Sequence, residues 1–245
     1  MKTIGIIPAR YDSTRFPGKP MVDLLGKSMI QRVYEQSEKA TRLDAVYIAT
    51  DDKRIYEHVK SFGGRVLMTS AHHVTGTSRV AEAAQQISGA DVIVNIQGDE
   101  PTISPNQIDE LVAISGHGIA TQAKKIMETE DLLNPNVVKV VFNKNNQALY
   151  FSRQAIPYGR DLSEKDWIKN FDYYRHIGIY SFDRDTLLKL EKFTPSNIEK
   201  MESLEQLSWL DNGIDIKIGI TNYNSIGIDT PKDAERVRKI LEKLQ

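Results

Sequence analysis

Cysteine is absent from all 245 residues, which excludes disulfides, thiolate nucleophiles and cysteine-ligated zinc or iron–sulfur centres. Any chemistry must come from oxygen and nitrogen groups. A net field is missing too: 32 Lys plus Arg face 33 Asp plus Glu, so nothing draws the whole chain to nucleic acid or to an anionic membrane. Long apolar runs are also lacking. The opening MKTIGIIPAR is too short for a signal sequence and is broken by Pro8, and no later run approaches a membrane span, so the sequence predicts a cytoplasmic protein. Repeats, low-complexity tracts and Gly/Ser-rich linkers do not occur, and a chain of this length buries a sizeable core without staples. A single domain over 1–245 is expected.

What is present is alternation. Short Ile/Val-rich runs at 3–7, 45–50, 65–68, 91–96 and 119–124 are separated by segments such as SMIQRVYEQSEKA and TSRVAEAAQQI, whose apolar residues recur at spacings of three and four. That is the pattern of an α/β fold with a mostly parallel sheet flanked by helices, Rossmann-like in layout. The run DVIVNI suits a central strand. From about residue 137 the pattern changes: VVKVVF, ALYFS and HIGIYSF lie close enough for antiparallel pairing, with the polar stretch GRDLSEKDWIKNFDY between them. A smaller β-rich insertion over 126–200 is therefore expected. One helix is expected from about Asn197 to Asp211, and a last one opening at Thr230 with Pro231 first and Asp233 completing a cap.

Two places concentrate polar chemistry. The first strand runs into Pro8-Ala9-Arg10-Tyr11-Asp12-Ser13-Thr14-Arg15-Phe16-Pro17-Gly18-Lys19-Pro20, three cations and two hydroxyls stiffened by prolines at the carboxyl edge where open α/β sheets bind ligands. Arg10, Arg15 and Lys19 suit a triphosphate, through forked guanidinium donors and a compact ammonium; an ordinary solvated basic loop is the plainer alternative. A dinucleotide or P-loop fold is disfavoured, because no G-x-G-x-x-G occurs and Gly26-Lys27-Ser28 has Met21 where the first glycine belongs. The second place is Gln97-Gly98-Asp99-Glu100-Pro101, directly after DVIVNI, where Asp99 or Glu100 is expected to face the crevice and serve a hard cation. Asp229, just before the last helix, is either a second such acid or a helix-start acid. Asp51 and Asp52 close the second strand as nucleotide contacts or as turn and cap residues, and Asp52 reads better as a cap.

Taken together, IPARYDSTRFPGKP, GTSR, QGDEP, NPNVVKVV, ALYFSR, IPYGR, RHIGIY, ESLEQL and IGIDTP resemble the CMP-KDO synthetases, the 3-deoxy-D-manno-octulosonate (KDO) cytidylyltransferases, nearly end to end. The resemblance implies a nucleotidyltransferase fold whose β-rich insertion forms a homodimer. It also implies the reaction: the anomeric hydroxyl of an acidic sugar attacks the α-phosphorus of CTP, pyrophosphate leaves, and a CMP-sugar forms for lipopolysaccharide or capsule synthesis. By the same resemblance Arg10, Arg15 and Lys19 hold the phosphates, with Pro8, Ala9, Thr14 and Asp51 beside the nucleotide. Asp99 and Asp229 hold Mg2+, while His73, Thr75 and Gly76 line the cytosine. Gln97, His176 and Glu205 contact the sugar acid with Arg160 and Tyr180, and the sugar's carboxylate accounts for a histidine beside Arg175.

Two departures stand out. Ser78 replaces the acid usual in the GTSR segment, and Ser208 replaces the arginine usual after Glu205-Gln206-Leu207. Losing both charges together reads either as an ion pair deleted as a unit or as a pocket altered for another sugar, such as 8-amino-KDO or a nonulosonic acid. A non-catalytic nucleotide-binding module is the remaining alternative, and retention of Asp99 and Asp229 argues against it.

Overall fold

The computed structural model describes residues 1–12, 16–116, 118–224 and 226–243. By contacts the chain divides into two compact units, Met1–Val112 with Tyr223–Gln245, and Ala113–Asn222. In the first, strands β1 (Thr3–Ala9), β2 (Ala45–Thr50), β3 (Val66–Met68) and β4 (Val92–Asn95) pair in parallel in the order β3-β2-β1-β4. Ile4, Ile6, Ile7, Ile48, Ile93 and Val94 are fully buried, as continuous apolar strands covered on both faces must be. Helices α1 (Met29–Ser37), α2 (Lys53–Ser61) and α3 (Gly76–Gln85) supply the three crossovers, and α4 (Pro105–Ala113) follows β4. Ser28, Asp52 and Thr75 cap the first three, each accepting a backbone N–H two or three residues on. The cap reading of Asp52 thus holds.

The C-terminal helix Pro231–Glu242 also belongs to this unit and starts as its sequence predicts, with a capping box between Thr230 and Asp233. Its apolar face, Ala234, Val237 and Leu241, packs with Leu24, Met29 and Ile228. Burying Ile228 completely contributes roughly 1.5–3 kcal/mol and anchors the chain one residue before Asp229.

The second unit is built on β5 (Ile119–Lys125), β6 (Lys139–Phe142), β7 (Ala148–Ser152), β8 (Tyr174–Asp183) and β9 (Ile216–Ile220). β5 runs antiparallel to β8 and parallel to β9, and β6 runs antiparallel to β7 and β8. Its helices are α5 (Thr129–Leu133), α6 (Glu164–Asn170), α7 (Arg184–Leu190), α8 (Asn197–Glu202) and α9 (Gln206–Asp211). One expectation is corrected here, and one stretch gains an element. The polar stretch at 159–173 contains α6, where Trp167 is buried with Ile126, Leu132 and Tyr173 and pins a short helix of about two turns. The expected helix from 197 to 211 is two helices, divided where Ser203 takes a left-handed backbone with φ 52°.

Candidate active site

The loop after β1 is closed at its base, where the Gly18 N–H donates to the Tyr11 carbonyl at 2.9 Å. Gly18 has φ 70° and lies so near the Tyr11 ring that a Cβ there would stand 3.2 Å from it. Arg54 at the start of α2 lays its guanidinium 3.4 Å from the centroid of the same ring. Asp52 fixes that guanidinium from below through Nε at 2.9 Å and Nη2 at 2.5 Å. So held, the loop delivers Lys19, whose Nζ donates to Asp99 Oδ2 at 2.8 Å and to Asp229 Oδ1 at 3.3 Å. Thr14 and Arg15, expected at the nucleotide, lie outside the described residues.

Two local features bring the acids there. A Cβ on Gly98 would stand 2.7 Å from the Pro8 carbonyl oxygen, so only glycine lets the chain leaving β4 pass the end of β1. On the other side, the Ile228 N–H donates to the Asp99 carbonyl at 2.9 Å and sets Asp229 beside Asp99. The helix-start role falls to its neighbours: Asp233 accepts from the backbone of Asp229 and Thr230. Asp99 rather than Glu100 lines the adjoining cavity of about 420 Å³, together with Pro8, Ala9, Arg10, Lys19, Gly76 and Gln97. Among the described residues no three His, Asp or Glu side chains cluster as a complete metal cage. Two converging carboxylates beside an open cavity still fit a hard cation that keeps waters and takes phosphate oxygens.

Arg10 reaches the rim of α3, where Nη2 donates to the Thr75 carbonyl at 3.1 Å. Burial lowers its pKa, the Arg79 guanidinium adds to this, and Asp51 opposes it. Arg79 was not singled out by sequence reasoning. It is fully buried, donates to Thr69 Oγ1 at 2.6 Å and pairs with Asp51 at 3.2 Å. The available signal was a charged residue on the apolar face of α3. Asp51 therefore pairs with Arg79 and lies close enough to act electrostatically on Arg10. His73 is engaged by the Glu82 carboxylate, which also accepts the Ser70 N–H at 2.8 Å. Ser78 turns its hydroxyl back to the Thr75 carbonyl at 3.1 Å, so the residue that replaces the usual acid serves the cap.

In the second unit, His176 and Tyr180 stand on β8 with ring centroids 5.3 Å apart, and His176 meets Phe151 edge-on at 5.1 Å. Burial pushes the His176 pKa down to about 3, with Arg175 acting in the same sense, so the ring is neutral. Burial, and after it the Glu205 carboxylate, raises the Tyr180 pKa, which keeps the phenol protonated. Glu205 sits at the start of α9. Arg160 is exposed and no described contact ties it to these three. Ser208 is buried, accepts the Ser196 N–H at 2.8 Å and bonds to Glu199, joining α8 to α9.

A cytidylyltransferase family model matches residues 4–216. A 3-deoxy-manno-octulosonate cytidylyltransferase of Parabacteroides distasonis is 52% identical, with 98% of each chain covered. One of the same name from Thermodesulfovibrio yellowstonii is 47% identical, again over 98% of each. A solved CMP:2-keto-3-deoxy-manno-octonic acid synthetase in complex with CTP superposes over the full length of both chains with a TM-score of 0.93 at 38% identity. Cytidylyltransferases generally work with a divalent metal. The match runs end to end: the chain belongs to the 3-deoxy-manno-octulosonate cytidylyltransferase family.

Proposed function

We propose that the protein transfers CMP from CTP to the anomeric hydroxyl of 3-deoxy-manno-octulosonate and releases pyrophosphate. The observation that carries this reading is the meeting of Lys19 with Asp99 and Asp229 at the mouth of the first unit's cavity. Phosphoryl transfer asks a protein for alignment and charge neutralisation rather than for a covalent intermediate. Arg10 and Lys19 bind the phosphates here, with Arg15 assigned by the family resemblance, and the Lys19 ammonium stabilises charge on the departing pyrophosphate. Asp99 and Asp229 are the residues that would hold Mg2+. When bound, that ion supplies Lewis-acid neutralisation of phosphate charge. His73, Thr75 and Gly76 are assigned to the cytosine, and Gln97, Arg160, His176, Tyr180 and Glu205 to the sugar acid.

A homodimer formed through the second unit belongs to the same proposal. It is supported by the resemblance and by the apolar side chains that unit leaves exposed, including Leu149 at 60% and Phe171 at 49%. Among the described residues no helix is long and apolar enough to cross a membrane; a cytoplasmic site of action is part of the same proposal. The test is pyrophosphate release with CTP, Mg2+ and a panel of KDO, 8-amino-KDO and nonulosonic acids, then with UTP and ATP in place of CTP. Turnover with KDO and CTP, lost on adding a chelator, is the expected result. Turnover only with another sugar corrects the substrate, and none with any sugar sinks the reading. Light scattering of the purified protein decides the dimer.

A further inference from the structure

Thr121 is fully buried on β5 at the point where its ladder with β8 loses register. Thr121 pairs with Tyr180 and Gln122 with Ile177, so Gly178 and Ile179 bulge out of the β8 ladder. The Thr121 hydroxyl answers that bulge, lying 3.0 Å from the Ile177 carbonyl and 2.7 Å from the Ile179 carbonyl. It also lies 3.0 Å from Nε2 of His176.

A threonine hydroxyl has a single proton, and both carbonyls can only accept. That proton is spent on the bulge, so the contact with His176 closes only if Nε2 carries hydrogen and donates to Oγ1. A neutral imidazole has one N–H. Nδ1 is thereby left with a lone pair, and no described residue is recorded as its partner. Beside it, Tyr180 is 6% exposed and its hydroxyl has no hydrogen-bond partner among the described residues. An open acceptor next to an unpartnered donor, with the Glu205 carboxylate near enough to act on the phenol, suits a polyol rather than an anion.

We propose that Thr121 is a positioning residue that fixes His176 as the Nε2–H tautomer, so that Nδ1 accepts a hydrogen bond from a sugar hydroxyl instead of donating one to the sugar's carboxylate. This rests on the assignment of His176 to the sugar subsite. The test uses the full-length enzyme with 15N-labelled histidine. Long-range 1H–15N spectra report the tautomer of each of the five histidines, and His176→Gln identifies the resonance of interest.

Wild type is expected to show a neutral Nε2–H ring. Thr121→Val should shift His176 towards the other tautomer and raise the sugar KM about tenfold, the worth of one hydrogen bond, with kcat and the CTP KM within about twofold. Thr121→Ser should restore both. An Nδ1–H or doubly protonated ring in wild type overturns the proposal, as does a Thr121→Val enzyme whose sugar KM rises with the tautomer unchanged. The wild-type spectrum needs no variant, so a misfolded Thr121→Val does not shelter the idea. If His176→Gln leaves the sugar KM unchanged while wild type shows Nε2–H, the subsite assignment fails and the tautomer stands.

Discussion

Replacing Gly98 by alanine puts a methyl carbon 2.7 Å from the Pro8 carbonyl oxygen, where ordinary contact begins near 3.4 Å. The shortfall of about 0.7 Å cannot be met by turning a side chain, because the obstacle is backbone. Retreat is limited too, with Ile7 Cγ2 at 3.4 Å and Ile30 Cδ1 at 3.6 Å from the same point. Overpacking of this kind costs about 1–3 kcal/mol. For a chain of this size that lowers Tm by roughly 2–4 °C per kcal/mol, hence by about 2–12 °C. The strain falls one residue before Asp99, whose carboxylate is held at 2.8 Å by Lys19. A misplacement near 1 Å at a reacting centre costs about 100-fold. We therefore expect Gly98→Ala to lose about tenfold to 100-fold in kcat. Differential scanning fluorimetry and a pyrophosphate-release assay on the same preparation measure both. Wild-type Tm together with wild-type kcat refutes the close approach of β1 and the segment after β4. A lowered Tm with unchanged kcat refutes its coupling to Asp99.

Asp99→Asn and Asp229→Asn should each lower kcat by about 100-fold or more with small changes in Tm, because each removes a charge used in the transition state; normal turnover in either removes that acid from the mechanism. Arg54→Ala removes the cation stacked on Tyr11, an interaction worth about 0.5–1 kcal/mol at an exposed site, so the CTP KM should rise about two- to fivefold with kcat largely kept, measured by steady-state kinetics. His176 has a pKa of about 3 in the fold against 6.5 for the free group, so below pH 6.5 the unfolded chain binds the proton and the folded one does not. Its effect is nil above pH 6.5 and destabilising as pH falls towards 3, by at most about 1.4 kcal/mol per pH unit; urea titrations should show a shallower acid loss in His176→Gln, and identical slopes refute the buried neutral ring.

Elements whose causes are local could be read from sequence. The parallel strands declare themselves by continuous Ile and Val, and Asp52 and Thr230 mark helix starts because a cap is satisfied within three residues. Elements fixed from a distance could not. α6 is only seven residues long, and packing of Trp167 on Ile126, Leu132 and Tyr173 is what holds so short a helix. The break at Ser203 carries no glycine or proline to announce it. Arg79 breaks the apolar face of α3, but no spacing rule names its partner, Asp51, 28 positions earlier in the sequence. The substitution at Ser78 is legible in hindsight, since a serine three residues after a threonine cap readily bonds back to it.

Asp229 tests where such reading ends. From the sequence alone an acid before a helix is accounted for by the helix, and no spacing rule links residue 229 to residue 19. In the fold the capping box is complete without its carboxylate, because Thr230 and Asp233 satisfy each other's backbone and side chain. Helix capping therefore does not explain the side chain's position. What places it is the buried Ile228 before it and the Ile228 N–H bond to the Asp99 carbonyl, which together bring a second carboxylate to an ammonium already held by the first. Two like charges drawn 2.8 and 3.3 Å from one cation are an arrangement that stability alone does not favour at sites this exposed, where an ion pair contributes about 0–1 kcal/mol. The arrangement makes physical sense for a site that meets a polyanion together with a divalent cation, where the ammonium can follow the phosphates and the carboxylates keep the metal.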